Sequence, residues 1–198
     1  MTWGGILAFI GILSYTTWTQ VGGGNSLPPD EVADPWLGAE EAKVEIIEFG
    51  DFGCHACQAW HNLGIREQVL AQYGDQVRFT WRDFPVITNQ SPKAAEAGHC
   101  AGAQGKFWEF HDHVYENQVG LGRSQLESYA EAVGLDLAAF GQCLDEKNMT
   151  LKVQENEQIA RRFGIRGTPG FVLNGQVLAS PPTYPFLSSL IERELAAE

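Results

Sequence analysis

A chain of 198 residues, 44% of them hydrophobic, is long enough to bury a sizeable core as one large domain or one domain with an insertion, and its composition excludes general disorder. Its 25 acidic and 13 basic residues leave a net charge of -12, which excludes a phosphate-binding basic track and argues against adhesion to anionic lipid surfaces.

No charged side chain precedes Asp30, and residues 3–13, WGGILAFIGIL, form an apolar run followed by the more polar SYTTWTQ. That is the pattern of a targeting segment. The run reaches the roughly 20 residues of a membrane span only if it is counted through the threonines to Val21. It also lacks a basic leading region and an Ala-x-Ala cleavage site. Residues 1–21 are expected to be an uncleaved signal anchor, with a cleaved signal peptide, a misassigned start codon or a buried core helix as alternatives. The glycines, prolines and acids of residues 22–33 have the composition of a flexible linker, so the folded domain is expected to begin near Asp34.

KVEIIEF (43–49) predicts a buried strand ending at Gly50. FGDFGCHACQAWH follows, with Cys54 and Cys57 in a CxxC spacing. Trp60, Leu63, Val69, Leu70 and Tyr73 predict one helix from Cys54 to Tyr73, stopped by Gly74, with the cysteine pair in its first turn. QVRFTWRDF (76–84) alternates as a second strand closed by Pro85, which completes a βαβ unit. From there to Gly164 the period is helical. Ser91 and Pro92 read as N-cap and first residue of a helix to about Gln104, and KFWEFHDHVYEN (106–117) continues the pattern. Ser124 with Glu127 matches a capping box, and Gly134 a C-cap. Asp136 caps a short helix carrying Phe140, Cys143 and Leu144, and a last helix runs from about Met149 to Phe163. GFVL and QVL then flank Asn174-Gly175, a strong hairpin signal. Leu187, Leu190, Ile191 and Leu195 share one face of a terminal helix. The order is β-α-β, a helical insertion over about 86–163, then β-β-α: an α/β chain.

Two thiols two residues apart at a helix start suit disulfide exchange, a structural disulfide or a metal. A zinc site would take Cys54 and Cys57 with His61 as the nearest further ligand. His99, His111 and His113 are scattered among aromatics and supply no second paired motif, so no metal site is expected. Trp36, Trp81, Phe107, Trp108 and Phe110 read as packing residues rather than a ligand cage.

Three segments carry a resemblance: DPWLGAEEAKVEIIEFGDFGCHACQAWH, AGHCAGAQGKFWEFHDHVY and RRFGIRGTPGFVLNG. In this order and spacing the chain resembles the DsbA-like thiol-disulfide oxidoreductases, which have a thioredoxin-like fold with an inserted all-helical subdomain. The match covers nearly all of residues 34–198. It implies that Cys54 is the exposed nucleophile, Cys57 the buried resolving thiol, Pro169 a cis-proline preceded by Thr168, and Glu48 an acid beneath the dithiol. It implies no cofactor, the redox group being the Cys54-Cys57 pair itself.

Two positions depart from the family pattern. His55-Ala56 stands where a proline usually follows the first cysteine, and Gly170 where a small hydroxyl residue is common. A protonated His55 would add positive charge beside a Cys54 thiolate; otherwise it is an exposed imidazole. Glu48 is expected to relay protons for Cys57, or else to be satisfied by a lysine or water. Pro169, lacking an N-H, would let a substrate chain lie against the loop and pair with the backbone at Thr168. If Cys54 pairs with Cys57, then Cys100 and Cys143 are left for each other, the alternative being two buried thiols.

The expected function is oxidation of cysteines in unfolded or partly folded exported proteins, with a redox partner restoring the disulfide. The expected location is extracytoplasmic, tethered to the membrane through the N-terminus. A thiol reductase or disulfide isomerase kept reduced by a membrane partner is the alternative, and a non-enzymatic module with a relic CxxC the third reading.

Overall fold

The computed structural model describes residues 32–197. The expected signal segment, and the linker except for Val32 and Ala33, lie outside the described residues. The elements are β1 (Trp36–Gly38), β2 (Val44–Gly50), α1 (His55–Asn62), α2 (Ile65–Tyr73), β3 (Val77–Asp83), α3 (Ser91–Gly102), α4 (Phe107–Asn117), α5 (Arg123–Ala132), α6 (Leu137–Asp145), α7 (Thr150–Arg162), β4 (Gly170–Leu173), β5 (Gln176–Val177) and α8 (Tyr184–Ala196). One sheet runs β1-β3-β2-β4-β5. β2 and β3 are parallel, and the other neighbours antiparallel.

β2 is the centre of this sheet, and its composition follows from that position. Val44 and Ile46 pack with Trp60, Ile65, Val69, Leu187 and Ile191 beneath α1, α2 and α8. Ile47 and Phe49 pack on the opposite face with Ala160 and Ile165. A strand covered on both faces needs no polar alternation, which is why VEIIEFG reads as nearly continuous apolar sequence. The Asn174-Gly175 turn joins β4 to β5 with both residues at positive φ (44° and 79°).

The single helix expected over 54–73 is two helices. Gly64 adopts φ 62° between α1 and α2, a left-handed conformation that suits glycine. The break follows from the apolar pattern: Trp60 and Ile65 are buried while Leu63 is 63% exposed, so one helical stripe cannot serve both halves. The Ser124-Glu127 capping box does not form either. Gly122 is the N-cap of α5, and Glu127 instead accepts from Arg123 one turn away. Ser91 lies inside α3 rather than capping it, and its hydroxyl accepts from the Thr88 amide at 3.1 Å.

The five helices α3–α7 form the insertion around Phe110, Leu126, Phe140 and Leu144. Cys100 and Cys143 are bonded, joining α3 to α6 at a Cα separation of 5.9 Å. This core is continuous with the dithiol, because Phe52, Cys54, Cys57 and Trp81 belong to the same cluster.

Candidate active site

The site begins with a turn. Asp51 is 2% exposed, and its carboxylate accepts from the Gly53 amide at 2.7 Å and the Ile87 amide at 2.8 Å. Its carbonyl accepts from the Cys54 amide at 2.9 Å and the Tyr115 hydroxyl at 3.0 Å. Four hydrogen bonds thus fix the residues that deliver the chain to α1. Cys54 is the N-cap of that helix, where backbone amides lack intrahelical partners and the positive end of the helix dipole favours an anion.

Cys54 and Cys57 are free thiols, 5% and 0% exposed, so Cys54 is buried rather than the exposed member of the pair that the resemblance implied. The Cys57 amide donates to the Cys54 sulfur at 3.4 Å. Cys54 as a neutral thiol donates to the Thr168 carbonyl at 3.2 Å. The cysteine's pKa is lowered to about 5, chiefly by the hydrogen bond from the Cys57 side chain, with Thr168 and the Cys57 and Ala56 amides adding to it against the opposing effect of burial. The Thr168 hydroxyl is buried without a hydrogen-bond partner. Cys57 is pushed far up by burial, by its hydrogen bond to Cys54 and by the charge of Glu48. One sulfur is therefore a thiolate at neutral pH and the other holds its proton, the division of labour that exchange requires.

The Thr168-Pro169 peptide is cis. Glu48, on β2 between Trp81 of β3 and Phe171 of β4, is 4% exposed. Its pKa is raised to about 8, first by burial, with the Arg66 guanidinium pulling the other way. The cation acting on it is an arginine, where the alternative to proton relay had named a lysine or water. His55 is exposed, and among the described residues no hydrogen bond or ion pair reaches its ring. His61 does not join the cysteines. It faces Asp112 at 3.8 Å and lies 5.7 Å from the His111 ring.

The thioredoxin family profile matches residues 30–193. The chain belongs to the thioredoxin family. BdbD from Bacillus subtilis superposes with a TM-score of 0.74 at 24% identity, over 82% of this chain and 92% of that one. A thioredoxin-like oxidoreductase from Silicibacter pomeroyi gives a TM-score of 0.74 at 25% identity, over 83% and 94%. Both likenesses extend over more than four-fifths of this chain and so take in most of the helical insertion. Among curated relatives, a Na+/H+ antiporter NhaA 1 from Salinispora arenicola is 36% identical over 153 residues, which are 76% of this chain and 23% of that protein. The chain spans about a quarter of the length of the curated relatives it matches.

Sequence reasoning placed Cys54, Cys57, Thr168, Pro169 and Glu48, and the structure gathers Cys54, Cys57, Thr168 and Glu48 around the start of α1. It missed Asp51, whose Asp-x-Gly spacing ahead of the cysteine is an Asx-turn signal. It also missed Tyr115, Arg66 and Asp112, which come to the site from α2 and α4 and leave no local signature.

Proposed function

We propose that this oxidoreductase donates a Cys54-Cys57 disulfide to cysteine-containing protein substrates outside the cytoplasm. The observation that carries the direction is the low pKa of Cys54, about 5. Stabilising the thiolate stabilises the reduced enzyme, and each pKa unit below ambient pH corresponds to roughly 30 mV toward an oxidising potential.

The cycle follows from the two sulfurs. A substrate thiolate attacks Cys54 Sγ, the Cys54-Cys57 bond breaks, and the electron pair passes to Cys57, which takes a proton from the protonated Glu48. A second substrate thiolate then attacks the substrate sulfur of the mixed disulfide and expels Cys54 as its stabilised thiolate. Two substrate thiols are oxidised and the enzyme pair is reduced by two electrons. An oxidised redox partner must restore it by taking up the two electrons, with Glu48 receiving the Cys57 proton on the way back. Substrate chains would lie along a groove of about 320 Å³ lined by Ile165, Pro169, Leu178 and Pro181.

Location is part of the proposal. No helix among the described residues is long and apolar enough to cross a membrane, so a tether would lie outside them. A periplasmic thioredoxin-like protein from Salmonella enterica shares the fold at 19% identity. The antiporter name belongs to much longer proteins, and the 153 shared residues must fall mostly within the thioredoxin domain. Antiport is therefore not carried over, although a shared domain in transport proteins agrees with work at a membrane.

The deciding experiment is the reduction potential of the pair in glutathione buffer. A value near -120 mV supports the donor, and one near -270 mV makes the protein a reductant kept reduced by its partner. In parallel, Glu48→Gln is expected to slow Cys57 steps; an unchanged rate would remove Glu48 as the proton partner.

A further inference from the structure

Three arginines end α7 and lead into the cis-proline loop, and their surroundings differ. Arg161 donates to Glu157 at 2.6 Å, and its guanidinium carbon lies 5.5 Å from the centre of the Phe84 ring. Arg162 is exposed and lines a hollow with Arg82, Ile159 and Phe163. Arg166 is also exposed, but it lines the groove of about 320 Å³ that holds Ile165, Pro169 and Leu178. It is the one charged residue in that groove among the described residues. Among those residues no hydrogen bond, ion pair or ring contact engages its guanidinium. A Cβ placed on Gly164 or Gly167 would meet nothing within 4 Å, so the wall on either side of Arg166 is open. Elsewhere Arg66, Arg82, Lys93, Arg123, Lys152 and Arg193 all face carboxylates of the chain itself.

The groove begins at the dithiol. Thr168, two residues after Arg166, accepts from the Cys54 thiol on its carbonyl at 3.2 Å, and Pro169 belongs to the groove wall. A chain whose cysteine has reached Cys54 therefore passes Arg166 with the residues next to that cysteine.

We infer that Arg166 is a specificity-determining residue: among cysteine-containing chains it favours those with an aspartate or glutamate close in sequence to the reacting cysteine, by pairing its guanidinium with that carboxylate. This rests on the reading of the groove as the path of the substrate chain. The planar fork of a guanidinium matches a carboxylate with two parallel N-H···O bonds, and it stays charged across the working pH range. The other groove residues supply no charge of either sign, so discrimination between an acid and a lysine at this place falls to Arg166. With 25 acidic and 13 basic residues the protein as a whole repels a carboxylate, which makes the selection local rather than a property of net charge. Arg166 is exposed and the pair solvated, so the effect on rate is a factor of about two to five rather than orders of magnitude.

The test uses the full-length protein and two pairs of synthetic dithiol peptides. Within a pair the sequences differ only in an aspartate or a lysine beside the reacting cysteine, before it in one pair and after it in the other. Values of kcat/KM are measured for oxidation of the dithiol peptides by oxidised protein, and for reduction of their disulfides by reduced protein. The readout is the ratio of aspartate to lysine rates, in which any effect of a variant on the dithiol itself cancels. Arg166→Ala is expected to lower this ratio about two- to fivefold in at least one pair, and Arg166→Glu to lower it further. Arg166→Lys, which keeps the charge, should retain most of the preference. Arg162→Ala removes the same charge from the other hollow and should leave the ratio at the parent value. In the parent the preference should shrink as salt rises from about 0.1 to about 1 M, because the screening length falls from roughly 10 to roughly 3 Å. If Arg166→Glu does not fold, the alanine and lysine variants still decide. A ratio unchanged in the Arg166 variants, or lowered as much by Arg162→Ala, overturns the role of Arg166. Turnover by reduced protein alone counts against the disulfide-donor reading, and the ratio in that direction then decides the role of Arg166. Peptides turned over in neither direction overturn the groove as a substrate path, and the proposal with it.

Discussion

The Tyr115 hydroxyl donates to the Asp51 carbonyl at 3.0 Å, so a side chain of the inserted subdomain holds the turn that delivers Cys54. The same carbonyl accepts from the Cys54 amide at 2.9 Å. Tyr115→Phe keeps the ring against Phe52, His111 and His61 and removes only the hydroxyl. Loss of this buried bond should cost about 1 kcal/mol. Because the turn is fixed from the other side by the Asp51 carboxylate, the Cys54 pKa should move little. Denaturant unfolding and a thiol alkylation profile measured together would expose an error in either half of this expectation.

A second expectation concerns Gly50, where β2 ends. A Cβ placed there would stand 2.0 Å from the Trp81 ring, which is itself fully buried. Trp81 has little room to withdraw, because its Nε1 donates to Asp83 at 3.0 Å and its ring is packed against Phe52, His111 and Phe107. Gly50→Ala should destabilise the domain by about 1–3 kcal/mol, the usual cost of overpacking a filled core, or more if Trp81 cannot shift. A melting temperature equal to the parent's would mean that this contact is softer than its geometry.

These two positions show what a sequence can and cannot convey. Strands β2 to β5, the hairpin at Asn174-Gly175 and the Asp136 cap rest on neighbours within a few residues, so period and turn chemistry expose them, whereas the three residues of β1 carry no such period and were missed. The cysteine pair was legible because its spacing is itself the motif, and Thr168-Pro169 through the family resemblance of the segment around it. Tyr115 and Asp51 are 64 residues apart, and Arg66 and Asp112 are 46 apart. Nothing local in either segment announces the other. Glu48 lay between the two cases. A carboxylate in a buried strand raised the question, but its cation, on α2, comes into place only when α2 and α4 pack together over β2 and β3.

The Cys100-Cys143 bond should support the insertion without touching the chemistry. It closes a loop of 43 residues, for which the chain-entropy relation gives about 4 kcal/mol. Replacing both cysteines by alanine is expected to lower stability by that order. Cys54 alkylation rate and its pH midpoint should stay as they are. A changed midpoint would instead couple the α3-α6 bond to the dithiol through the core they share.

The pH dependence of the reduced protein follows from the sign of the Cys54 shift. Its folded pKa is lowered from the ordinary thiol value of 9.0 to about 5. A depressed acid contributes stability that is fully present above the unfolded pKa and is lost as pH falls through the folded one. Reduced protein should therefore gain stability relative to the oxidised form as pH rises from about 5 toward 9, the interval between the two values. Cys57 does not offset this gain inside that window, because its raised pKa keeps it protonated there. Denaturant unfolding of both redox forms at several pH values measures the difference directly, and the thiolate absorbance near 240 nm should titrate at about the same lower pH. A stability difference that is flat between these limits would show that the amides at the start of α1 and the Cys57 thiol do not hold the anion, and the oxidising potential expected of the pair would lose its source.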